Sequence, residues 1–164
     1  MFLAIDNTPA IQFKDVQKVY TNGHIALDNV NFDINSGQLL ILLGTSGCGK
    51  TTALKLINRL IEPSSGEILL FGKRIDTYPL YQLRRNIGYA IQHIGLFPHM
   101  NIYQNISVVP KLLQWTKAET DQRIRFLMDL VQLPFEEYSR RMPNQLSGGQ
   151  RQRVGVARAL AADP

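Results

Sequence analysis

Eight consecutive residues carry the clearest chemical pattern in the sequence: Gly44, Thr45, Ser46, Gly47, Cys48, Gly49, Lys50 and Thr51. They match the pattern G-x-x-x-x-G-K-[ST], which is typical of a phosphate-binding loop. Glycines let backbone N–H groups face a bound anion, because no side chain blocks the approach. Lys50 supplies a mobile positive charge for the outer phosphates, and the hydroxyl of Thr51 is suited to ligating Mg²⁺. The pattern therefore predicts a site for the phosphates of a nucleotide.

The elements on either side of this loop are those that the chemistry needs. The unbroken apolar run Leu39–Leu43 predicts a buried parallel strand, and the segment Thr52–Leu60 predicts a helix. The start of that helix adds unpaired N–H groups and the positive end of its dipole. The alternative is a glycine-rich turn that binds nothing. Agreement of strand, spacing and helix favours the phosphate site.

A second short motif, Leu146–Gln150, precedes the last predicted helix. Ser147 is a good N-cap residue, and Gly148 and Gly149 would leave backbone N–H groups exposed beside Gln150. Alone this evidence is weak, since the alternative is a cap followed by flexible residues. Two phosphate-type sites far apart in one sequence suggest a nucleotide held between two molecules.

Hydrophobic patterns divide the remaining sequence into a strand-rich part and a helical part. Strands are predicted at 11–19, 25–34, 67–71 and 87–91, and helices at 80–85, 101–110, 117–130 and 147–162. We expect an α/β fold in three parts. A β-rich core with the phosphate loop runs from about residue 11 to 92, a helical subdomain from about 93 to 146, and the last helix over 147–162.

Composition excludes several classes of protein. The chain has 164 residues and a net charge of +5, and its basic residues occur in pairs, which favours a solvated surface over a nucleic-acid groove. Cys48 is the single cysteine, so no internal disulfide forms, which fits a reducing compartment. The segment Met1–Asp6 does not have the form of a signal peptide, and no apolar run is long enough for a membrane span.

The two motifs together, GTSGCGKT and LSGGQRQRVGVARAL, resemble the ATP-binding cassette (ABC) ATPases, and the resemblance extends from about Ile11 to Pro164. It implies a P-loop NTPase core with a mixed sheet, an N-terminal antiparallel β region and a helical subdomain. Residues 44–51 would be the Walker A loop, with Thr52 also at the nucleotide and Tyr20 stacked on adenine. Gln92 would contact Mg²⁺ and the attacking water, and Lys50 would be catalytic. Residues 146–150 would be the signature motif.

Three further segments, Ile57–Pro63, Ile87–Gln92 and Gly95–Met100, resemble importers of quaternary amines such as glycine betaine, carnitine and choline. This resemblance implies an ATPase that uses ATP and Mg²⁺ and pairs head-to-tail with a second ATPase subunit. It would bind integral-membrane permease subunits at the cytoplasmic face of a bacterial membrane, and a substrate-binding protein only indirectly. No nucleic acid is implied. The alternatives are an importer ATPase for another solute, a non-transport ABC protein, and a non-catalytic remnant.

In this family a strand with the Walker B Asp and catalytic Glu, and then a switch His, follow the signature helix. None occurs within residues 1–164. We therefore expect a truncated domain that lacks the C-terminal part of the core and leaves an open apolar edge at Leu39–Leu43. This chain alone would bind ATP weakly without hydrolysing it.

Two expectations concern single surface features. Phe97, Met100 and Tyr103 follow Gln92 closely and predict a docking groove for a membrane subunit, although they could equally pack inside the helical subdomain. Cys48 lies beside Lys50 at a helix start and is expected to be a reactive thiolate that bound nucleotide protects.

Overall fold

The structure is a computed structural model that describes residues 8–91 and 95–164. The chain divides into two compact units, one ending at Arg84 and the other comprising Arg85–Pro164. The first unit contains the sheet, and the second is helical. None of the helices in the described part of the chain has the length and apolar character that crossing a membrane requires.

The first unit is built on a four-stranded antiparallel sheet in the order β2-β1-β3-β4. Its strands are β1 (Ile11–Val19), β2 (Ile25–Ile34), β3 (Ser65–Leu70) and β4 (Lys73–Arg74). Phe13 of β1 is buried and stacks on its partner Phe32 of β2, with ring centroids 4.3 Å apart. Such cross-strand aromatic pairs fix the register of the hairpin that precedes the phosphate loop.

The first unit also contains two helices, α1 (Lys50–Ile57) and α2 (Leu80–Arg85), of which only the last residue, Arg85, falls in the second unit. Helix α1 buries Ala53, Leu56 and Ile57, which recur at helical spacing, and it packs against β2. Because the phosphate loop joins directly to α1, this packing fixes the position of the loop relative to the sheet.

The second unit contains five helices in its described residues: α3 (Ile102–Ile106), α4 (Val108–Leu112), α5 (Lys117–Leu130), α6 (Phe135–Tyr138) and α7 (Gly148–Ala159). Reciprocal capping boxes begin α3, α5 and α7. Helix α7 packs against α3 and α5. The core consists of aliphatic side chains of these helices and their loops: Ile102, Ile106, Ile124, Leu127, Met128, Leu133, Leu146, Val154, Ala157 and Ala161.

Two predicted strands are wrong. Leu39–Leu43 has no strand structure, and Leu39 and Leu43 are 83% and 87% exposed. A parallel strand needs neighbours to pair its backbone, and no strand of the described residues lies beside this segment. The predicted strand at 87–91 is absent over the whole segment for the same reason, and Ile91 is exposed.

Helix boundaries differ from the prediction at three places, one of which is the last helix, α7, which ends at Ala159 rather than at 162 because residues 160–162 form a turn. Helix α1 spans Lys50–Ile57 rather than 52–60, because Arg59 adopts a left-handed conformation that ends the helix. The predicted helix 101–110 is divided at Ser107 into α3 and α4, and Pro110 lies inside α4. Proline is tolerated there because the first turn of a helix leaves its N–H groups unpaired. Helix α6 was not predicted.

Candidate nucleotide-binding site

The phosphate loop, residues 44–49, closes around the amine of Lys50. The Nζ atom of Lys50 donates to the carbonyl oxygens of Gly44 at 2.7 Å and Thr45 at 2.6 Å, and it lies 3.2 Å from the Sγ atom of Cys48. The ammonium group is thus held at the loop by its own backbone. The loop is solvent-exposed, apart from Gly49, so these contacts remain accessible to an incoming anion.

Gly49 anchors the loop against the sheet. Its φ is +95°, a left-handed conformation that favours glycine, and a Cβ here would overlap the carbonyl oxygen of Ala26 and approach Leu27 Cδ2 to 2.8 Å. Strand β2 therefore fixes the point at which the loop becomes helix α1. The sequence pattern requires this glycine, and the structure supplies the packing reason for it.

The N-terminus of α1 has no side-chain cap, and its first turn has no acidic residue. Its first N–H groups lack intrahelical partners, and the helix dipole makes this end favourable for negative charge. Thr51, in the same turn, is exposed, so its hydroxyl is available to a metal–phosphate group. The combination fits the phosphates of a nucleotide, with Lys50 and Thr51 as the contacting side chains.

Tyr20 lies beside the start of α1. Its hydroxyl is 3.4 Å from the Oγ1 atom of Thr52, although the two residues are 32 positions apart. The ring is partly exposed, and Lys18 Nζ is 5.6 Å from its centroid. The structure thus brings together the predicted adenine-stacking residue and the predicted phosphate loop.

His24 extends this aromatic surface and was not among the predicted site residues. Its ring lies nearly parallel to that of Tyr20, at 12° and 6.3 Å between centroids. The turn between them closes by hydrogen bonds from Tyr20 N to His24 O and from Gly23 N to Tyr20 O, both 2.9 Å long. A turn motif between two aromatic residues was the available signal in the sequence.

The side chain of Lys50 also sets the chemistry of Cys48. Cys48 is exposed, and the Lys50 ammonium lowers the pKa of its thiol, chiefly through the contact between Nζ and Sγ. The thiolate form is favoured because it faces a positive charge. The sequence analysis, which expected a thiolate at Cys48, thus predicted the direction of this pKa shift.

The start of α7, at Ser147–Gln150, is organised differently. Ser147 Oγ accepts from the Gln150 N–H at 3.2 Å, and Gln150 Oε1 accepts from the Ser147 N–H at 2.8 Å. Gln150 Nε2 also lies 3.2 Å from the hydroxyl of Tyr138. Gly148 and Gly149 are exposed, and a Cβ on either would meet nothing within 4 Å beyond its chain neighbours and the backbone of its own helix. Packing among residues 8–91 and 95–164 therefore does not explain the two glycines.

Of the three residues predicted to form a docking groove, Phe97 is 40% exposed, whereas Met100 and Tyr103 are partly buried. The hydroxyl of Tyr103 donates to Asp121 at 2.5 Å, and its ring packs edge-on against Phe135. Burial, with the Asp121 carboxylate, raises the pKa of Tyr103 to about 12. Phe97 is thus the part of the predicted groove that faces solvent.

Gln92 lies outside the described residues, so its predicted role stays a prediction. Within residues 8–91 and 95–164, no three His, Cys, Asp or Glu side chains cluster as a metal site would require. A phosphate-bound Mg²⁺ does not need such a cluster, because phosphate oxygens, waters and one or two protein oxygens such as a Thr hydroxyl supply its ligands.

A scan against protein-family models matches residues 27–164 to the ABC transporter family. The chain belongs to this family. The resemblance drawn from the two motifs is therefore confirmed, and with it the P-loop NTPase fold class.

The chain is also similar in sequence to ATP-binding proteins of solute importers. The chain is 57% identical to the osmoprotectant import ATP-binding protein of Salmonella typhimurium, over 85% of this chain and 36% of that protein. It is 53% identical to a glycine betaine/carnitine/choline transport ATP-binding protein of Bacillus subtilis, over 94% of this chain and 40% of that protein. The chain thus spans well under half the length of these relatives.

Among solved structures, the fold matches a dimeric ATP-binding cassette in a post-hydrolysis state bound to ADP and phosphate. The TM-score is 0.83 at 33% identity, and the match covers 94% of this chain and 70% of that one. This match confirms the ABC ATPase fold independently of the motifs.

Proposed function

We propose that this chain is the nucleotide-binding part of an ATP-hydrolysing subunit that powers an importer of quaternary-amine osmoprotectants. The observation that carries the proposal is the uncapped start of α1, where Lys50 is held in a glycine loop and Tyr20 stands beside Thr52. This arrangement offers separate places for the phosphates and the base of ATP. The names of the two relatives support quaternary amines as the transported solute. The described residues themselves form no site that would select this solute.

In this proposal the chain's own residues bind and orient the nucleotide. Lys50 exchanges its contacts with the Gly44 and Thr45 carbonyls for the outer phosphates, whose negative charge grows in the transition state. The N–H groups at the start of α1 hold the inner phosphates, and Tyr20 stacks on adenine. Thr51 and Gln92 would ligate Mg²⁺, which when bound neutralises phosphate charge.

The signature residues Ser147–Gln150 serve the nucleotide of a second subunit in a head-to-tail dimer. The open space above Gly148 and Gly149 supports this role, because it leaves room for a ligand held by another chain. Permease subunits would dock on the surface around Phe97, and the protein would act at the cytoplasmic face of the membrane through them. A substrate-binding protein would act only through the permease.

The test of nucleotide binding uses the complete protein and Mg-ATP. Lys50→Ala should weaken ATP binding by about 10- to 100-fold, since a charge-assisted contact is worth about 1.5–3 kcal/mol, and it should abolish phosphate release. Lys55→Ala is the matched control, because Lys55 lies on the same helix one turn beyond the loop. Equal affinities in the two variants, measured by titration calorimetry, would refute the site.

The cargo needs a separate measurement. The complete importer, reconstituted in vesicles, should take up radiolabelled glycine betaine, carnitine or choline in an ATP-dependent way. Lys50→Ala should abolish that uptake. Uptake of another solute, with none of these three competing, would retain the ATPase function and reject the proposed cargo.

A further inference from the structure

The loop 95–101, from Gly95 to Asn101, lacks regular secondary structure, yet buried hydrogen bonds hold its backbone. Asn105 of α3 is fully buried, and its Oδ1 accepts from the Phe97 N–H at 2.8 Å. Its Nδ2 donates to the carbonyl oxygens of Phe97, Met100 and Asn101 at 3.1, 2.9 and 3.0 Å. One side chain therefore sets the shape of most of this loop.

Arg158, in the last turn of α7, holds the other end of the loop. Its Nη1 donates to the Gly95 carbonyl oxygen at 2.9 Å, across 63 positions of sequence. Its guanidinium carbon also lies 5.8 Å from the centroid of the Phe97 ring. Phe97 is the large apolar side chain of the loop that is exposed, so a group that contacts its ring also lies close to the Arg158 guanidinium.

Helix α7 connects Arg158 to the signature residues. Ser147 caps its N-terminus and Arg158 lies in its last turn, so about 16 Å of helix at about 1.5 Å per residue separates them. Val154 and Ala157 are fully buried between these ends and fix the helix in the core. Because α7 is continuous and packed between these ends, strain at Arg158 would reach Ser147 through the helix itself.

We propose that Arg158 is a positioning residue that ties the loop 95–101 to α7, so that contact of a partner with Phe97 moves the signature residues. This inference rests on the proposed function, in which a membrane subunit docks around Phe97. Arg158 touches no nucleotide in this scheme. It acts through Gly95 and Phe97 at one end of α7 and through Ser147–Gln150 at the other.

The experiment uses the complete importer in vesicles and compares three variants with the wild type. Arg158→Met keeps side-chain length and removes the donors, whereas Arg158→Lys restores a positive donor. Arg153→Met is the matched control, because Arg153 also lies on α7 and also donates to backbone carbonyls, those of Val131 and Gln132. Measured quantities are ATP affinity, thermal unfolding midpoint, and the stimulation of ATP hydrolysis by transported solute.

We expect Arg158→Met to bind ATP as the wild type does and to lose about five-fold or more of the stimulation. Arg158→Lys should recover part of the stimulation, and Arg153→Met should keep it at a similar unfolding midpoint. Stimulation within about two-fold of wild type in Arg158→Met, or an equal loss in Arg153→Met, would overturn the inference. A wild-type importer without ATP binding would instead reject the proposed function.

Discussion

Helices α1 and α7 both begin with glycine-containing motifs, but the space and backbone conformation at their glycines differ. At the start of α1, Gly49 has a left-handed backbone and no room for a Cβ beside Ala26. At the start of α7, Gly148 and Gly149 lie in open space. The first glycine is required by the fold of its own chain. No packing among the described residues requires the other two, which agrees with the proposed contact of α7 with a second subunit's nucleotide.

The two helices also differ in whether side chains of the protein cap the N–H groups of their first turns. Helix α1 has no side-chain cap, which leaves its N-terminus to a ligand. Helix α7 is capped by its own residues, Ser147 and Gln150. A ligand at α1 therefore gains donors that are otherwise unpaired, whereas a ligand at α7 meets a surface that is already stable alone. The start of α1 thus offers unpaired N–H donors, whereas the start of α7 offers an exposed surface whose cap is already formed.

Of the substitutions that test this difference between the two helix starts, Gly49→Ala is expected to change stability the most. Gly49→Ala should lower the free energy of unfolding by roughly 3 kcal/mol, because it adds left-handed strain to a steric overlap with Ala26 and Leu27. The measurement is urea unfolding followed by circular dichroism. Gly148→Ala is the matched control and should not destabilise the protein. A loss below about 1 kcal/mol in Gly49→Ala would show that the loop relaxes freely.

A smaller loss is expected from the cap of α7. Ser147→Ala removes the acceptor of the Gln150 N–H and should cost about 1 kcal/mol of unfolding free energy. Thr116→Ala provides the comparison, because Thr116 caps α5 through the same reciprocal motif with Glu119. The two variants should lose similar amounts in thermal or urea unfolding. An unchanged stability in Ser147→Ala alone would mean that the start of α7 is not closed by its cap.

The open glycine of α7 should show an effect of opposite sign. Gly149→Ala should stabilise the protein by about 0.5–1 kcal/mol, since alanine suits a helix better than glycine and meets no neighbour here. In the complete importer the same substitution should slow ATP hydrolysis. Faster or unchanged hydrolysis together with higher stability would separate these glycines from the catalytic cycle.

The smallest effect concerns the thiol in the loop of α1. The Lys50 ammonium lowers the pKa of Cys48, so the thiolate forms at lower pH than in an ordinary cysteine. Lys50→Met should move the pH midpoint of alkylation upwards and slow the reaction at neutral pH a few-fold, by roughly the loss of thiolate. Iodoacetamide rates measured across pH check this. Mg-ATP should protect the wild type, and equal rates with and without it would place Cys48 outside the nucleotide site.

The sequence predicted those strands and helices whose bounds depend on residues close together in the chain. The strands at 11–19 and 25–34 and the helices at 80–85 and 117–130 have the predicted bounds. Alternating apolar residues, turn residues and, for the helix 117–130, the helical spacing of apolar residues suffice to define them. Most of the candidate site was predictable too, since the loop motif states which residue types lie around the phosphates.

Long-range contacts account for what the sequence did not predict. Leu39–Leu43 has the composition of a buried strand, but pairing with a neighbour decides whether it becomes one. The contact between Tyr20 and Thr52 and the parallel ring of His24 depend on how the first hairpin meets α1. Helix α6 is four residues long, too short for a hydrophobic period to be recognised.

The position of β1 between β2 and β3 also sets an order of events during synthesis. Strand β1 pairs with its neighbour β2 through a short hairpin, but its pairing of Ile11 with Leu70 must close a loop that contains the whole phosphate site. Closing so long a loop costs chain entropy that only the finished β3 contacts offset. We therefore expect a ribosome-bound nascent chain that ends before Ser65 to bind no ATP analogue, although its phosphate loop is already complete in sequence.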